Sequence, residues 1–272
     1  QGVIKSVWDF DYSVLKPRDK VIVIGTGLTM FDVAGAISDN CNQVTITAIS
    51  KSGLMPAVQP VKASPPIPFE WDKVTPITLK EVVRQLRINL ELANGEWWRA
   101  IDGMRPVTID LWNNFSVFEK KQFINHLLSK WNRARHRAPQ QVFEKVNNLI
   151  KSNTLVIKQG RVVQASANFV KLADGTILNA NYVFYAGGAI SNPFNSSQPF
   201  WQNLKEEDWL ASHPSGMGIN ATPKFQLIGK DGNPVSGAYT IGNNMRGTLL
   251  ECTAIPELKV HAKKVAAELL GK

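Results

Sequence analysis

Two glycines separated by one residue, Gly25 and Gly27, lie between an apolar run and a segment with apolar residues at helical spacing. The run is VIVI at 21–24, and the segment is LTMFDVAGAISD at 28–39. Such a turn can bind a diphosphate, because the first glycine permits the tight bend and the second lets the main chain approach the phosphates. The helix N-terminus then presents unpaired amides to the anion. In the dinucleotide-binding fingerprint G-x-G-x-x-G, Met30 stands at the position of the third glycine. That glycine serves close packing of the helix on the sheet rather than phosphate binding. A tight turn without a ligand is the alternative.

The end of the second strand indicates which nucleotide such a turn would bind. An acidic residue there would bond the ribose 2′-hydroxyl of NAD, whereas a cation would meet the 2′-phosphate of NADP. The strand VTITAIS ends at Ser50 and is followed by Lys51 and Ser52, with no acidic residue. A lysine flanked by hydroxyls favours NADP over NAD, and a solvated loop lysine is the alternative.

A second group of candidate residues lies in the basic stretch KWNRARHR at 130–137, and its members are Arg133, Arg135, His136 and Arg137. Guanidinium groups suit bidentate contacts with oxyanions, so the stretch is a candidate anion or substrate site. A solvated helix end is the alternative, because cations there complement the helix dipole. His126 and His136 could exchange protons, but neither has a carboxylate at recognisable spacing, which favours surface or packing roles.

Other chemistry-bearing residues point to no site. Cys252 precedes the last predicted helix, where a thiolate would be stabilised, but no resolving cysteine is near, which favours a buried thiol. The pair Trp97 and Trp98 is typical of a core or an interface. No His, Cys and carboxylate set has metal-ligand spacing, and no nucleophile elbow or Walker loop occurs.

The elements that must position these residues follow from periodicity. Residues 19–50 read strand, glycine turn, helix and strand, and such a βαβ unit predicts a parallel sheet. Residues 78–151 predict three helices, the first two opening with capping boxes (Thr78 with Glu81, Ser116 with Glu119). Short strands that start with TLVIKQG at 154 predict a small antiparallel meander, and NYVFYAGG (181–188) then predicts a buried strand that ends in glycines. A strand at 237–244 and an amphipathic helix at 251–271 close the chain.

Composition and charge limit the classes of protein to which the chain can belong. The chain has 272 residues, 44% apolar and 19% charged, and carries a net charge of +9. No apolar run is long enough to span a membrane, and no signal peptide opens the chain. Two distant cysteines fit a reducing compartment, so we expect a cytoplasmic protein. Because the basic stretch has no interleaved aromatic residues, nucleic-acid binding ranks low.

Several segments resemble the FAD/NAD(P)-binding oxidoreductases, the two-dinucleotide flavoproteins, and in part a largely uncharacterised bacterial subgroup of them. VIVIGTGLTMFDVA (21–34) is similar to that family's second glycine motif, and ISKSGLMP (49–56) to the stretch that follows it. WNRARHRAPQ (131–140) and NYVFYAGGAIS (181–191) resemble later segments, and AYTIGNNMRGTLLECTAIPEL (238–258) resembles the C-terminal FAD-contacting strand, turn and helix.

The resemblance implies a fold and a division into domains. We expect an α/β chain with a Rossmann-like three-layer dinucleotide-binding domain, a helical insertion and a small antiparallel meander, plus an incomplete FAD-domain portion. The NAD(P) domain would span 20–188, with its insertion at about 78–151, and residues 1–19 and 189–272 would be the remainder of the FAD domain. Because no earlier glycine motif occurs, the chain would be the C-terminal part of a longer flavoprotein or a relative that lacks the N-terminal half.

The resemblance also implies roles for individual positions. Contacts with the NADP (or NAD) pyrophosphate and the adenosine ribose would come from Gly25, Thr26, Gly27, Leu28, Thr29, Ser50 and Lys51. Contacts along the flavin end of FAD, if the N-terminal half is present, would come from Gly242, Asn243, Thr253 and Ala254. Gly187, at the end of the strand that returns the chain to the FAD domain, is a further cofactor-binding candidate. Asn243 stands close to where many relatives carry an aspartate, so this position keeps hydrogen-bonding capacity but no charge.

The leading functional prediction is an oxidoreductase in which NADPH reduces a flavin that passes electrons to an unidentified acceptor. In such enzymes the cofactors carry the chemistry and the protein orients them. The alternative is a non-catalytic NAD(P)-binding or sensing module that acts through its helical insertion. Activity of this chain by itself and its assembly into a homodimer stay open.

Overall fold

The computed structural model describes residues 2–61, 64–188 and 192–271. Its strands are β1 (Lys20–Ile24), β2 (Thr45–Ser50), β3 (Leu155–Gln159), β4 (Val162–Ala165), β5 (Phe169–Leu172), β6 (Ile177–Asn179), β7 (Tyr182–Tyr185), β8 (Gln226–Ile228) and β9 (Pro234–Tyr239). Its α-helices are α1 (Leu28–Asn40), α2 (Leu79–Leu92), α3 (Trp98–Gly103), α4 (Thr108–Asn114), α5 (Val117–His126), α6 (Leu128–Arg135), α7 (Gln140–Lys151), α8 (Pro199–Glu206), α9 (Arg246–Leu249) and α10 (Ile255–Leu269).

The chain forms two compact units. The first combines Gln1–Ala63 with Leu128–Gly188, and the second combines Ser64–Leu127 with Ala189–Lys272. Residues before β1 belong to the first unit, and Ile4 forms a parallel bridge with Phe184 of β7. The domain bounds expected from the sequence, 20–188 with flanking FAD-domain segments, stay a prediction.

A four-stranded parallel sheet organises the first unit, in the order β3-β2-β1-β7. The helix α1 connects β1 to β2, and α7 leads into β3, so both helices are crossovers between parallel strands. Phe31 lies against Phe143, and Asp39 is paired with Lys145, so α1 and α7 pack side by side. Each helix follows or precedes a strand of the same sheet, and the N-terminus of α1 lies at the edge where β1 and β2 end.

The two faces of this sheet are covered by different layers. Val21 and Val23 of β1 point into the core formed with α1 and α7, whereas Ile22 points into a second core. That second core contains Val170 and Leu172 of the antiparallel sheet β4-β5-β6. Helices, parallel sheet and antiparallel sheet thus form the three layers expected from the sequence. Each fully buried apolar side chain contributes about 1.5–3 kcal/mol to this packing.

Three local expectations are wrong. Residues 78–151 contain six helices, α2 to α7, where three were expected. The segment TLVIKQG was expected in the antiparallel meander, but it forms β3 and pairs with β2 in the parallel sheet. The reason is topological, since a strand that follows a crossover helix returns parallel to its neighbour. The helix expected over residues 116–137 is divided at Leu127 into α5 and α6.

Helices dominate the first part of the second unit, and both predicted capping boxes are present there. Glu119 does more than cap its own helix. Its Oε2 accepts hydrogen bonds from the amide and the hydroxyl of Ser116, and its Oε1 accepts the amide of Leu79 at 2.8 Å. One carboxylate therefore joins the N-termini of α2 and α5.

The later part of the second unit contains the hairpin β8-β9 and the closing helix. As predicted, α10 ends just before Gly271, which has a positive φ of 64°. Phe225, Met245 and Cys252 form the core beneath α10, and Val265 packs against it. Among the residues that the structure describes, no helix is both long and apolar enough to cross a bilayer.

Replacing Glu119 by Gln should destabilise the chain more than the matched change of Glu81, whose side chain caps only α2. The introduced amide would offer one acceptor oxygen where two are used and would place its NH₂ against a backbone amide. We expect a loss of about 1–3 kcal/mol in the free energy of unfolding for E119Q and about 0.5–1 kcal/mol for E81Q, measured by urea unfolding. Equal losses would show that the link between α2 and α5 contributes nothing.

Candidate functional site

The bend after β1 depends on a close main-chain approach. Gly25 has a φ of 118°, a region that L side chains rarely adopt. A Cβ built there would lie 2.3 Å from the carbonyl oxygen of Ala186 and 3.0 Å from the amide nitrogen of Gly187. The Gly25 amide donates to Ile49 O at 2.7 Å, which fixes the bend beside the end of β2. Gly25 is therefore required by the fold itself, whatever the turn binds.

Gly27 is in a different situation. Its φ of −83° suits any residue, and a Cβ built there meets no described atom within 4 Å beyond its immediate surroundings. Neither backbone strain nor packing within the described chain requires glycine at this position. The missing side chain instead leaves an open, exposed space at the mouth of the turn.

That space faces the N-terminus of α1. Gly27 is the N-cap of this 13-residue helix, no side chain caps it, and its first turn carries no acidic residue. Leu28 is exposed and Thr29 half-buried, while Met30 is fully buried in the core between sheet and helices. An uncapped helix start with an open approach can receive an anion on its amides. The bulky Met30 fills the position where the fingerprint has its third glycine.

The hydroxyls of Thr26 and Ser50, both predicted cofactor-binding residues, are hydrogen-bonded to each other. Thr26 is 4% exposed, and its Oγ1 lies 2.7 Å from Ser50 Oγ and donates to Leu54 O at 2.6 Å. Ser50 Oγ also accepts the amide of Gly53 at 3.0 Å. The turn between the glycines is therefore hydrogen-bonded to the loop that leaves β2. Direct contact of Thr26 and Ser50 with a dinucleotide stays a prediction.

Lys51 extends from that loop at the carboxyl end of β2 and is exposed. Its carbonyl accepts a hydrogen bond from Gln159 Nε2 at 3.3 Å, which ties the loop to β3. Within the described residues its ammonium group has no carboxylate partner. Gly187, a further cofactor-binding candidate, is exposed and lies beside Gly25, and its contact with a cofactor stays a prediction.

The basic stretch 133–137 is joined to the same loop. The amide of Ala57 donates to Arg133 O, and the amide of Ala138 donates to Ala57 O. Arg133 is exposed, and Arg137 donates from Nε to Ala134 O at 2.8 Å. The stretch is thus tied to the segment that leaves the carboxyl end of β2. The anion-site assignment of Arg133, Arg135, His136 and Arg137 stays a prediction.

The residues predicted for the flavin end form a local group in the second unit. Gly242 opens a short 3₁₀ helix, and its φ is 74°. A Cβ there would lie 3.3 Å from Leu258 in the first turn of α10. Asn243 is half-buried, Thr253 is exposed, and Ala254 is the N-cap of α10 without a side-chain cap. The first turn of α10 contains Pro256, which has no amide hydrogen, and the acidic Glu257, so this helix start suits an anion less well than that of α1 does.

Burial or exposure determines the state of three other titratable side chains, those of Cys252, His213 and His126. Burial raises the pKa of the Cys252 thiol to about 12, so it stays protonated at neutral pH. Burial, helped by the nearby Lys120, lowers the pKa of His213 to about 4. His126 is exposed at the end of α5, in agreement with the surface role favoured by the sequence. In the described part of the chain, no cluster of His, Cys, Asp or Glu could hold a metal ion.

Comparisons with known proteins give likeness in structure only. No protein-family model matches the chain, and a search of curated proteins finds no relative. Among solved structures, the chain is similar to ornithine hydroxylase (PvdA) from Pseudomonas aeruginosa, with 16% identity and a TM-score of 0.50. It is also similar to L-lysine 6-monooxygenase from Pseudomonas syringae, with 13% identity and a TM-score of 0.52.

A third match is ornithine N-hydroxylase from Kutzneria sp. 744 (KtzI), whose structure contains reduced FAD, NADP⁺ and L-ornithine, with 13% identity and a TM-score of 0.48. The matches cover 94%, 94% and 92% of this chain but only 53%, 54% and 53% of the respective solved chains. The chain thus spans about half the length of the structures it matches. The first two matches establish the fold class: a parallel four-stranded sheet with a helical insertion and small antiparallel sheets.

Substitutions of the two glycines should separate their roles in the fold. Gly25→Ala places a Cβ against the Ala186 carbonyl at a positive φ, and we expect it to cost about 3 kcal/mol or more. Gly27→Ala enters open space and should cost no more than about 1 kcal/mol. Denaturant unfolding of both variants measures the difference. A Gly27→Ala chain as unstable as Gly25→Ala would contradict the open turn described here.

Proposed function

We propose that this chain binds NAD(P)H at the Gly25–Gly27 turn and is the nicotinamide-dinucleotide-binding part of a flavin-dependent oxidoreductase. The observation that carries the proposal is Gly27. It combines an allowed φ, open space where a side chain would stand, and an uncapped helix N-terminus behind it. A diphosphate in that space would accept hydrogen bonds from the amides that begin α1. The strand, turn and helix in a parallel sheet are the context that this mode of binding needs.

The preferred dinucleotide in this proposal is NADP(H). The loop after β2 offers the exposed Lys51 and no acidic side chain, so a 2′-phosphate would gain a charge-assisted contact there. Ser50 stands where an acid would bond the ribose hydroxyls of NAD, and its own hydroxyl is already engaged with Thr26 and Gly53. The basic stretch joined to the same loop adds positive charge at that edge.

The flavin half of the proposal rests on the resemblance of residues 238–258. Gly242, Asn243, Thr253 and Ala254 would line the flavin end of FAD, which would accept electrons from NADPH and pass them on. Among the described residues, one unit of strand, Gly-x-Gly turn and helix occurs, at 20–40. In this proposal that unit binds the nicotinamide dinucleotide. The adenosine half of FAD therefore needs residues other than those described. This agrees with the chain matching about half of a hydroxylase and of a monooxygenase.

Isothermal titration with NADPH and NADH tests the proposal. The wild-type chain should bind both, NADPH more tightly. Lys51→Ala should weaken NADPH binding about tenfold and leave NADH binding within about twofold, because hydrogen bonds to charged groups contribute about 1.5–3 kcal/mol. Gly27→Ala should abolish binding of both while the chain stays folded.

Two results would contradict the proposal. The wild-type chain could give no heat with either dinucleotide, or Gly27→Ala could bind NADPH as well as the wild type does. An equal loss of both affinities in Lys51→Ala would leave dinucleotide binding in place but overturn the assignment of the 2′-phosphate to Lys51.

A further inference from the structure

Four groups around the glycine turn form a directed chain of hydrogen bonds. The carbonyl of Leu54 can only accept, so the proton of the Thr26 hydroxyl goes to Leu54 O, at 2.6 Å. Thr26 Oγ1 must then accept in its 2.7 Å contact with Ser50, whose hydroxyl is the donor. Ser50 Oγ accepts in turn from the Gly53 amide at 3.0 Å. The order Gly53, Ser50, Thr26, Leu54 is thus fixed by the chemistry of the groups, and we name it the hydroxyl relay.

The hydroxyl relay connects the loop after β2 to Thr26, the residue between the two glycines. It starts and ends in adjacent loop residues, Gly53 and Leu54, and passes through Thr26, which is 4% exposed. The loop also turns at Gly53, whose φ of 63° glycine adopts without strain and whose Cα faces Gln159, with 3.2 Å between a built Cβ and Gln159 Cβ. The Leu54 amide also donates to Ser52 Oγ at 3.3 Å. Lys51 and Ser52 are thereby held within a short, hydrogen-bonded segment.

We propose that Thr26 and Ser50 are positioning residues that set the preference for NADPH over NADH by holding the loop 51–54. This inference rests on the proposed function and assigns these two hydroxyls a role without cofactor contact. The pyrophosphate would meet the amides of α1, and the 2′-phosphate would meet Lys51. The hydroxyl relay fixes the geometry between these two points. Losing it frees the loop, so the 2′-phosphate contact weakens while the pyrophosphate contact stays.

The experiment measures dissociation constants for NADPH and NADH and takes their ratio, Kd(NADH)/Kd(NADPH), as the readout. Thr26→Val has the same shape without the hydroxyl, and we expect it to lower the ratio about tenfold. Thr26→Ser keeps the hydroxyl and should restore the ratio to within about twofold of the wild type. Thr45→Val, at the exposed opposite end of β2, is the control for a threonine-to-valine change and should leave the ratio unaltered.

A double-mutant cycle with Lys51 separates positioning from a general structural role. If Thr26 acts through Lys51, Thr26→Val should not change the ratio further in a Lys51→Ala chain. Ser50→Ala provides a second variant should Thr26→Val fail to fold. It breaks the relay at its donor, while the Gly53 amide keeps Ser50 O at 3.3 Å as an acceptor, and it should lower the ratio similarly.

The outcomes are distinguishable from those of the proposed function. A wild-type chain that binds neither dinucleotide overturns both proposals. A chain that binds NADPH through Lys51 but keeps its ratio in Thr26→Val and Ser50→Ala leaves dinucleotide binding intact and overturns the positioning role. A ratio that falls equally with and without Lys51 also overturns it, because Thr26 would then act elsewhere.

Discussion

The close approach of Gly25 to the main chain of Ala186 and Gly187 is the constraint on which the rest of the first unit depends. It lets β1 turn sharply beside the end of β7 and begin α1 a few residues later. Any side chain at Gly25 would push the turn away from the sheet and misplace the helix. Because the bend is made by Gly25 alone, Gly27 is left without a structural task that requires glycine. The glycine at this position leaves space in which a ligand could approach the backbone.

Packing on both faces of the parallel sheet fixes the position of the glycine turn. The parallel sheet is buried on both faces, by α1 and α7 on one side and by the antiparallel sheet on the other. Met30 anchors the first turn of α1 in the core, so the helix start is held in place although nothing caps it. The loop after β2 is tied to the turn through Thr26 and to β3 through Gln159. An anion at the helix start and a phosphate at Lys51 would therefore meet a prearranged surface.

Local patterns predicted local structure well. The glycine turn, both capping boxes and the closing helix follow from residues close to one another in sequence, and the structure contains each of them. Tertiary partners were not predictable in the same way. The partner sheet of β3 depends on the crossover before it, and the division of the long helix at Leu127 has no glycine or proline to signal it.

Contacts between residues distant in sequence were equally unpredictable at the candidate site. The Gly-x-Gly spacing predicted the turn, and the absence of an acidic residue after β2 directed attention to the loop with Lys51. Both signals lie in contiguous residues. Thr26 and Ser50 were predicted as cofactor-binding residues, and the sequence did not show that they also bond to each other and, from Thr26, to Leu54, 28 positions away. Nothing in the sequence marks the carbonyl of Leu54 as an acceptor. Such hydrogen bonds depend on the folded chain, so the sequence alone could not predict them.

The central claim is that main-chain amides at the start of α1 bind the diphosphate of a nicotinamide dinucleotide. Backbone amide NMR of the ¹⁵N-labelled chain during titration with NADP⁺ tests it residue by residue. The account predicts that the largest saturable shifts fall on Gly27, Leu28 and Thr29, with a second group at Lys51 and Ser52. Shifts confined to other regions, or unchanged amides at Gly27–Thr29 at saturating nucleotide, would contradict it.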